Sequence, residues 1–335
     1  MPLRTSTTYS LREIARRISR RSLGPTLVRL TADRNYDLGE TLVVAGSPRS
    51  GTTWLAEVLS TLPRSAILFE PEHMLQVPDA RRAGLDWHVM KLPGEAWPAG
   101  ERYFDRVLRG QVVTPWTTSH LPLSRAVAPR RWIVKFVDAN LMLGWLATHF
   151  PIRAPVLVLR HPCAVVGSQL RRGWKLDHAP RTAAFFARYP QFSEYVSSLR
   201  DPAEWSAAHW CIHTYVPLML PQPRPFLVTS YEQATRNPEQ EFPRLFGHWQ
   251  LPMPEALVER TRRPSGTTDR GSGLHQGSDT DAGWHKSLSA EQIVRILAVV
   301  REFGLDFYTD DPQPDAARLA GPTPVRGGLS QCRAG

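Results

Sequence analysis

Eight consecutive residues, Gly46-Ser47-Pro48-Arg49-Ser50-Gly51-Thr52-Thr53, gather two glycines, two serines, two threonines and an arginine in a form suited to holding an anion. Before them, Leu42, Val43, Val44 and Ala45 read as a short buried parallel strand. After them, Trp54, Leu55, Val58 and Leu59 recur at helical spacing. Strand, glycine-bounded loop and helix aim successive backbone N–H groups and the positive end of a helix at one point, which is a phosphate cradle. Gly46 and Gly51 fit G-x-x-x-x-G, and Thr53 stands where a Walker-type loop has its Ser/Thr, but Thr52 occupies the lysine position. That lysine serves the β- and γ-phosphates of a nucleoside triphosphate. The loop therefore reads as an anion nest with Arg49 on its rim, not as a site for ordinary triphosphate hydrolysis.

A second constellation follows about a hundred residues on. Pro155 to Leu159 reads as a buried strand, Pro162 as the start of a helix, and Arg160 and Ser168 as a pair flanking the turn. An arginine fork and a hydroxyl facing back from the helix can share one phosphate. Between these motifs, Ser65 to Phe69 reads as a further strand ending in Glu70, where a carboxylate at the ligand edge of a parallel sheet can take a proton from a hydroxyl. Ile133 to Val137 reads as a third strand, interrupted near its carboxyl end by Lys135, which either snorkels or meets an anion. Phe226 to Thr229 reads as the last strand.

S-P-R-S-G-T-T-W-L resembles the 5′-phosphosulfate loop of sulfotransferases that use 3′-phosphoadenosine 5′-phosphosulfate (PAPS), and L-R-H-P-x-x-x-x-x-S resembles their 3′-phosphate motif. The resemblance implies an α/β, P-loop-type three-layer sandwich with a central parallel β-sheet flanked by helices. It implies that Arg49 contacts the transferring sulfuryl group, that Ser50, Gly51, Thr52 and Thr53 hold the 5′-phosphate, and that Trp54 packs near the adenine. Arg160 and Ser168 would hold the 3′-phosphate. Ser230-Tyr231-Glu232 with Asn237-Pro238 resembles the Y-E-D…N-P segment, in which the tyrosine contacts adenine; a packed core tyrosine is the other reading of Tyr231. L-F-E-P resembles the segment that follows the loop in carbohydrate sulfotransferases and implies Glu70 as general base. His120, in S-H-L-P, resembles the catalytic histidine of cytosolic members and is the rival base. Gly283 to Ser289 resembles the C-terminal loop that closes over PAPS, but no Arg-Lys-Gly precedes it. Lys286, Arg263 or Arg270 stands in for that contact, and Ser265, in the loop-like run from Arg262 to Thr268, is assigned with Lys286 to the cofactor. Arginine at position 49, rather than lysine, is the style of carbohydrate and tyrosine-sulfating members. The implied acceptor is a hydroxyl of a carbohydrate or of a glycosylated or small metabolite, and no metal is expected.

The remainder of the chain bounds these readings. It has 335 residues and a net charge of +10, with 42% hydrophobic and 21% charged residues, enough for one large α/β domain with an ordinary core. A basic balance suits an anionic cofactor, glycan or membrane surface; no zinc-finger spacing or nucleic-acid-binding motif accompanies it, so no nucleic-acid partner is expected. Cys163, Cys211 and Cys332 are odd in number and far apart, which argues against a disulfide framework and fits a reducing cytoplasm. Residues 1–40 form a basic extension. Leu11, Ile14, Ala15, Ile18 and Leu23 could line one face of a helix packed on the domain or touching a membrane surface weakly. Residues 41–310 are the expected catalytic domain, residues 74–130 an insertion lining or covering the acceptor pocket, and residues 311–335 a loose tail. Two rival readings of the whole are an atypical P-loop kinase and a non-catalytic nucleotide-binding module. The oligomeric state is left open.

Overall fold

The computed structural model describes residues 24–31, 33, 35–173, 182–266 and 283–321. Five short apolar runs become five strands: β1 (Leu42–Ala45), β2 (Ser65–Phe69), β3 (Arg131–Lys135), β4 (Val156–Leu159) and β5 (Leu227–Ser230). They form one sheet in the order β2-β3-β1-β4-β5. Every pair is parallel, with Val44 of β1 set against Lys135 on one side and Val156 on the other. Every residue of β1, β2, β3 and β4 is buried, which is why these strands read as mainly apolar runs instead of alternating ones.

Successive side chains point to opposite faces, and the two faces carry separate cores. Val43, Ala45, Leu68, Val134 and Leu157 join the core that includes the buried sides of the helices Pro98–Leu108, Pro162–Arg171, Pro202–Leu218 and Ala290–Glu302. Leu42, Val44, Ile67, Ile133, Val156 and Val158 join the core beneath the helices Thr52–Leu59 and Pro238–Trp249. The result is the helix–sheet–helix sandwich that the resemblance implies. Each fully buried Val, Leu or Ile contributes about 1.5–3 kcal/mol, so the sheet edge is fixed by packing on both sides. The Pro202–Leu218 helix starts on an Asp201–Glu204 capping box, and Ala290–Glu302 starts on a second one, Ser289 with Gln292.

Two segments differ from expectation. Residues 74–130 contribute to the core as well as to the surface: Tyr103, Phe104, Val107 and Leu108 bury one side of the Pro98–Leu108 helix. Residues 316–320, inside the expected loose tail, are helical and capped by Asp315, and Phe307 and Tyr308 just before them are buried. Residues 24–31 are helical with Val28 in the core; the apolar stripe at Leu11 to Leu23 lies outside the described residues. Among the described residues no helix is long and apolar enough to cross a membrane.

Candidate active site

Because all five strands run the same way, their carboxyl ends share one edge, and each delivers residues to a single cavity of about 410 Å³. β1 leads to Arg49 and the turn at Gly51, β2 to Glu70, β3 to Val137 and Asp138, β4 to Arg160, and β5 to Tyr231. β1 and β4 are neighbours where the chain changes from one half of the sheet to the other, which is where an open α/β sheet leaves a crevice.

The anion-holding end is built from the first two motifs. Gly51 has φ 90° and caps the Thr52–Leu59 helix. A Cβ there would lie 2.3 Å from Cδ2 of Tyr231, so only glycine lets the loop rest on that ring. Thr52 and Thr53 form the first helical turn and line the cavity. Ser50 is 1% exposed, and its Oγ has no hydrogen-bond partner. Arg49 Nε donates to Ser168 Oγ at 3.0 Å. Arg160 Nη1 donates to the carbonyl of Arg49 at 3.1 Å, and its guanidinium sits 4.5 Å over the Tyr231 ring. Trp54 packs edge-on to Tyr231 at 5.4 Å and donates its indole N–H to the Thr261 carbonyl. Ser265 lines the same cavity. Two motifs separated by more than a hundred residues thus share one hydrogen-bonded unit. Arg171 and Arg172 line it as well; the sequence reading passed over them, although the Arg-Arg-Gly run at 171–173 marks the end of the Ser168 helix.

The opposite end is carboxylate-rich. Glu70 Oε1 accepts from Lys135 Nζ at 2.5 Å, and Lys135 is 2% exposed, with its ammonium over the Phe69 ring. Glu72 accepts the N–H of Val137. Its burial, and next the charge of Glu70, push its carboxyl well above the usual range. Asp138 is raised to about 7, first by burial, then by Glu70, against the pull of Lys135. His73 and Trp87 complete this wall, and their rings meet edge to face at 5.3 Å. Among the described residues of 74–130, Trp87 alone lines the cavity.

Other sequence-predicted residues stand elsewhere. His120 stacks on Phe69 at 4.1 Å, with Nδ1 3.6 Å from Glu57. Glu57 is held in turn by Arg260, and His120 does not line the cavity. Lys286 is exposed on the turn Gly283–Lys286; that turn is anchored by Trp284, which stacks on His161 at 4.6 Å, and Lys286 does not reach the cavity. Arg263 pairs with Glu259 on the surface. Arg270 lies outside the described residues.

Beneath the site, β4 and β5 are tied by a buried carboxylate. Glu232 accepts from the His161 N–H and from the Tyr308 hydroxyl, both at 2.9 Å. Burial raises Glu232 from 4.5 to about 7 and lowers His161 from 6.5 to about 4. Between 4.5 and about 7 the native state holds a proton on Glu232 that the unfolded chain has lost, so this group makes stability fall as pH rises. Between about 4 and 6.5 the unfolded chain holds a proton that native His161 lacks, so stability rises with pH. The two slopes oppose each other where they overlap. Glu232→Gln removes the falling one: relative to the parent chain, the variant gains about 3 kcal/mol between pH 4.5 and 7. Urea unfolding at both pH values measures this. A stability difference that does not change with pH would mean that Glu232 is not protonated in the native state.

A family model described as the sulfotransferase family matches residues 41–255. No curated protein sequence gives a significant match. Among solved structures, the chain is similar to mouse sulfotransferase SULT7A1 complexed with PAP, at 12% identity over 84% of this chain and 93% of that one, with a TM-score of 0.43. It is similar to sulfotransferase STF9 from Mycobacterium avium, at 17% identity over 91% of this chain and 88% of that one, with a TM-score of 0.42. It is also similar to the sulfotransferase domain of the olefin synthase from Synechococcus PCC 7002, at 16% identity over 81% and 97%, with a TM-score of 0.41.

Proposed function

This chain belongs to the sulfotransferase family, and we propose that it moves a sulfuryl group from PAPS to a hydroxyl of a carbohydrate or of a glycosylated or small metabolite. The observation that carries the donor assignment is the joined pair of anion motifs: Arg160 donates to the Arg49 carbonyl while Arg49 donates to Ser168. A nucleotide with phosphate on both its 5′ and 3′ sides needs two cation-lined subsites side by side, and a triphosphate does not. Support for the fit comes from Ser50, whose buried Oγ lacks a partner within the protein and would find one in a phosphate oxygen. Further support comes from Trp54 and Tyr231, whose edge-to-face pair offers an aromatic wall for a purine.

PAPS supplies an activated sulfuryl group, and its departure builds charge on the phosphate oxygen left behind. Arg49 and the loop N–H groups of residues 50–53 hold the 5′ end and face that charge with fixed donors. Arg160, Ser168, Arg171 and Arg172 hold the 3′-phosphate. Glu70, oriented by Lys135, takes the proton from the acceptor hydroxyl. His73 and Trp87 offer ring faces to the apolar side of a sugar, and Glu70 and Asp138 offer acceptors to its hydroxyls. The Arg-type loop and the L-F-E-P segment tilt the acceptor towards carbohydrate.

A thermal-shift comparison tests the donor. Adenosine 3′,5′-bisphosphate at about a hundred times its Kd is expected to stabilise the chain by about 2.7 kcal/mol, or about 4 °C in Tm at this size. ATP with Mg²⁺ and duplex DNA are expected to give much less. A larger shift with ATP–Mg²⁺ would reject the two-subsite reading. Transfer of labelled sulfate across a panel of hydroxylated acceptors tests the acceptor; label on steroids or phenols and none on sugars would overturn that half.

A further inference from the structure

Beside the acceptor wall, Asp138 meets two side chains that the transfer does not use. His209 and His213 stand one turn apart on the Pro202–Leu218 helix, and that spacing sets both on one face. Their rings stack at 4.2 Å. Asp138, which lines the cavity, meets them from the end of β3 with φ 57°. One ligand atom from each of the three lies within 4.8 Å of the others. His213 Nδ1 is 3.8 Å from Asp138 Oδ1, beyond hydrogen-bond reach. His213 is 0% exposed, and neither of its ring nitrogens has a hydrogen-bond partner; nor has Asp138 Oδ1. Buried polar atoms left this way need a partner, and a ligand between His213 and Asp138 would supply one.

Two imidazoles and a carboxylate are a donor set for zinc-class ions, and His-x-x-x-His on one helical face is a spacing that such ions use. Ligands bound tetrahedrally at about 2.0–2.1 Å lie about 3.4 Å apart, so a spread of 3.8 to 4.8 Å closes with small side-chain rotations. The nearby ammonium of Lys135 opposes a second cation, but it is already paired with Glu70.

We propose that Asp138, His209 and His213 form a binding site for one divalent cation of the zinc class at the acceptor end of the cavity, with a coordination position left for water or an acceptor oxygen. This departs from the metal-free expectation drawn from the sequence; none of the three residues belongs to the donor-binding motifs, and the proposal holds whether or not the donor assignment does.

The test uses the full chain, stripped with a chelator and titrated with Co²⁺, whose visible d–d bands report tetrahedral nitrogen and oxygen ligation, then with Zn²⁺ in competition. One Co²⁺ per chain is expected, displaced by Zn²⁺. His209→Gln and Asp138→Asn are each expected to weaken Co²⁺ binding by about 100-fold or more. His213→Ala removes a fully buried ring and risks the fold; His209 is only partly buried, so His209→Gln is the decisive variant, with circular dichroism and the bisphosphate thermal shift unchanged. Absence of tetrahedral bands in the parent chain would overturn the site, and so would undiminished binding by a folded His209→Gln.

Discussion

Arg49→Ala is expected to lower kcat by about 10³-fold or more, while the donor KM stays within a few-fold of the parent chain. The asymmetry follows from where Arg49 sits. Its side chain donates to Ser168, whereas the other contact that joins the two motifs uses its backbone carbonyl. Truncation therefore removes a guanidinium aimed at developing charge and leaves the Arg160 anchor in place. An interaction made mainly in the transition state is lost from kcat, not from ground-state binding. Arg160→Ala is the contrast. It loses the bond to the Arg49 carbonyl and the stack on Tyr231, and so should raise the donor KM by about 10–100-fold with a smaller change in kcat. Alanine at position 49 inherits φ 76°, a strained conformation for any residue with a Cβ. Arg49→Lys therefore serves as a control, since it carries the same backbone demand and restores charge without the fork. If Arg49→Ala turns over within about tenfold of the parent chain, the sulfuryl group is not held at this arginine.

Arg49 is one of three cavity residues with left-handed backbone that are not glycine; Glu70, at φ 43°, and Asp138, at φ 57°, are the others. Each lies within four residues of the end of a strand, where the chain must leave the sheet edge sharply. Such conformations persist only where surrounding packing imposes them, and here each of these strands is buried throughout. The two-sided core thus fixes the rim geometry, and the rim carries the chemistry.

That division also explains what could be read from sequence. Buried parallel strands are apolar runs, so all five were legible, and both anion motifs are local and follow directly from strand ends. β3 begins at Arg131, earlier than its apolar residues suggest, because Arg131 is itself buried, paired with Glu40; a charge inside a strand masks its start. The Pro98–Leu108 helix hides in a Pro- and Trp-rich stretch because its apolar set is only Tyr103, Phe104, Val107 and Leu108, too short a stripe to stand out. His120 sits in a suggestive local context, yet where it points depends on how the insertion packs, and it packs against Phe69. Asp138 and the His209–His213 pair are some seventy residues apart. The aromatic helix that carries the histidines reads as core, which for Trp210 and Tyr215 it is. Only the tertiary fold joins the helix to the end of β3.

Glu70→Gln is the other change with a large expected effect: a fall in kcat of about 10²–10⁴ with unchanged bisphosphate affinity. Lys135 occupies one carboxylate oxygen and fixes the side chain, which leaves the second for the acceptor's proton. Glutamine keeps the shape and an acceptor for Lys135 but cannot take a proton, so loss of rate without loss of fold isolates the base function. The rivals are separable by the same assay. His120 is removed from the cavity and paired with Glu57, so His120→Ala should leave kcat within about threefold. His73 does line the cavity, and its Nδ1 is buried without a partner. His73→Ala should therefore act mainly on acceptor KM, through the Trp87 and Trp116 rings it supports. A Glu70→Gln variant that keeps full kcat while His73→Ala or His120→Ala loses it would move the proton acceptor to that histidine and leave Glu70 as the partner that neutralises Lys135.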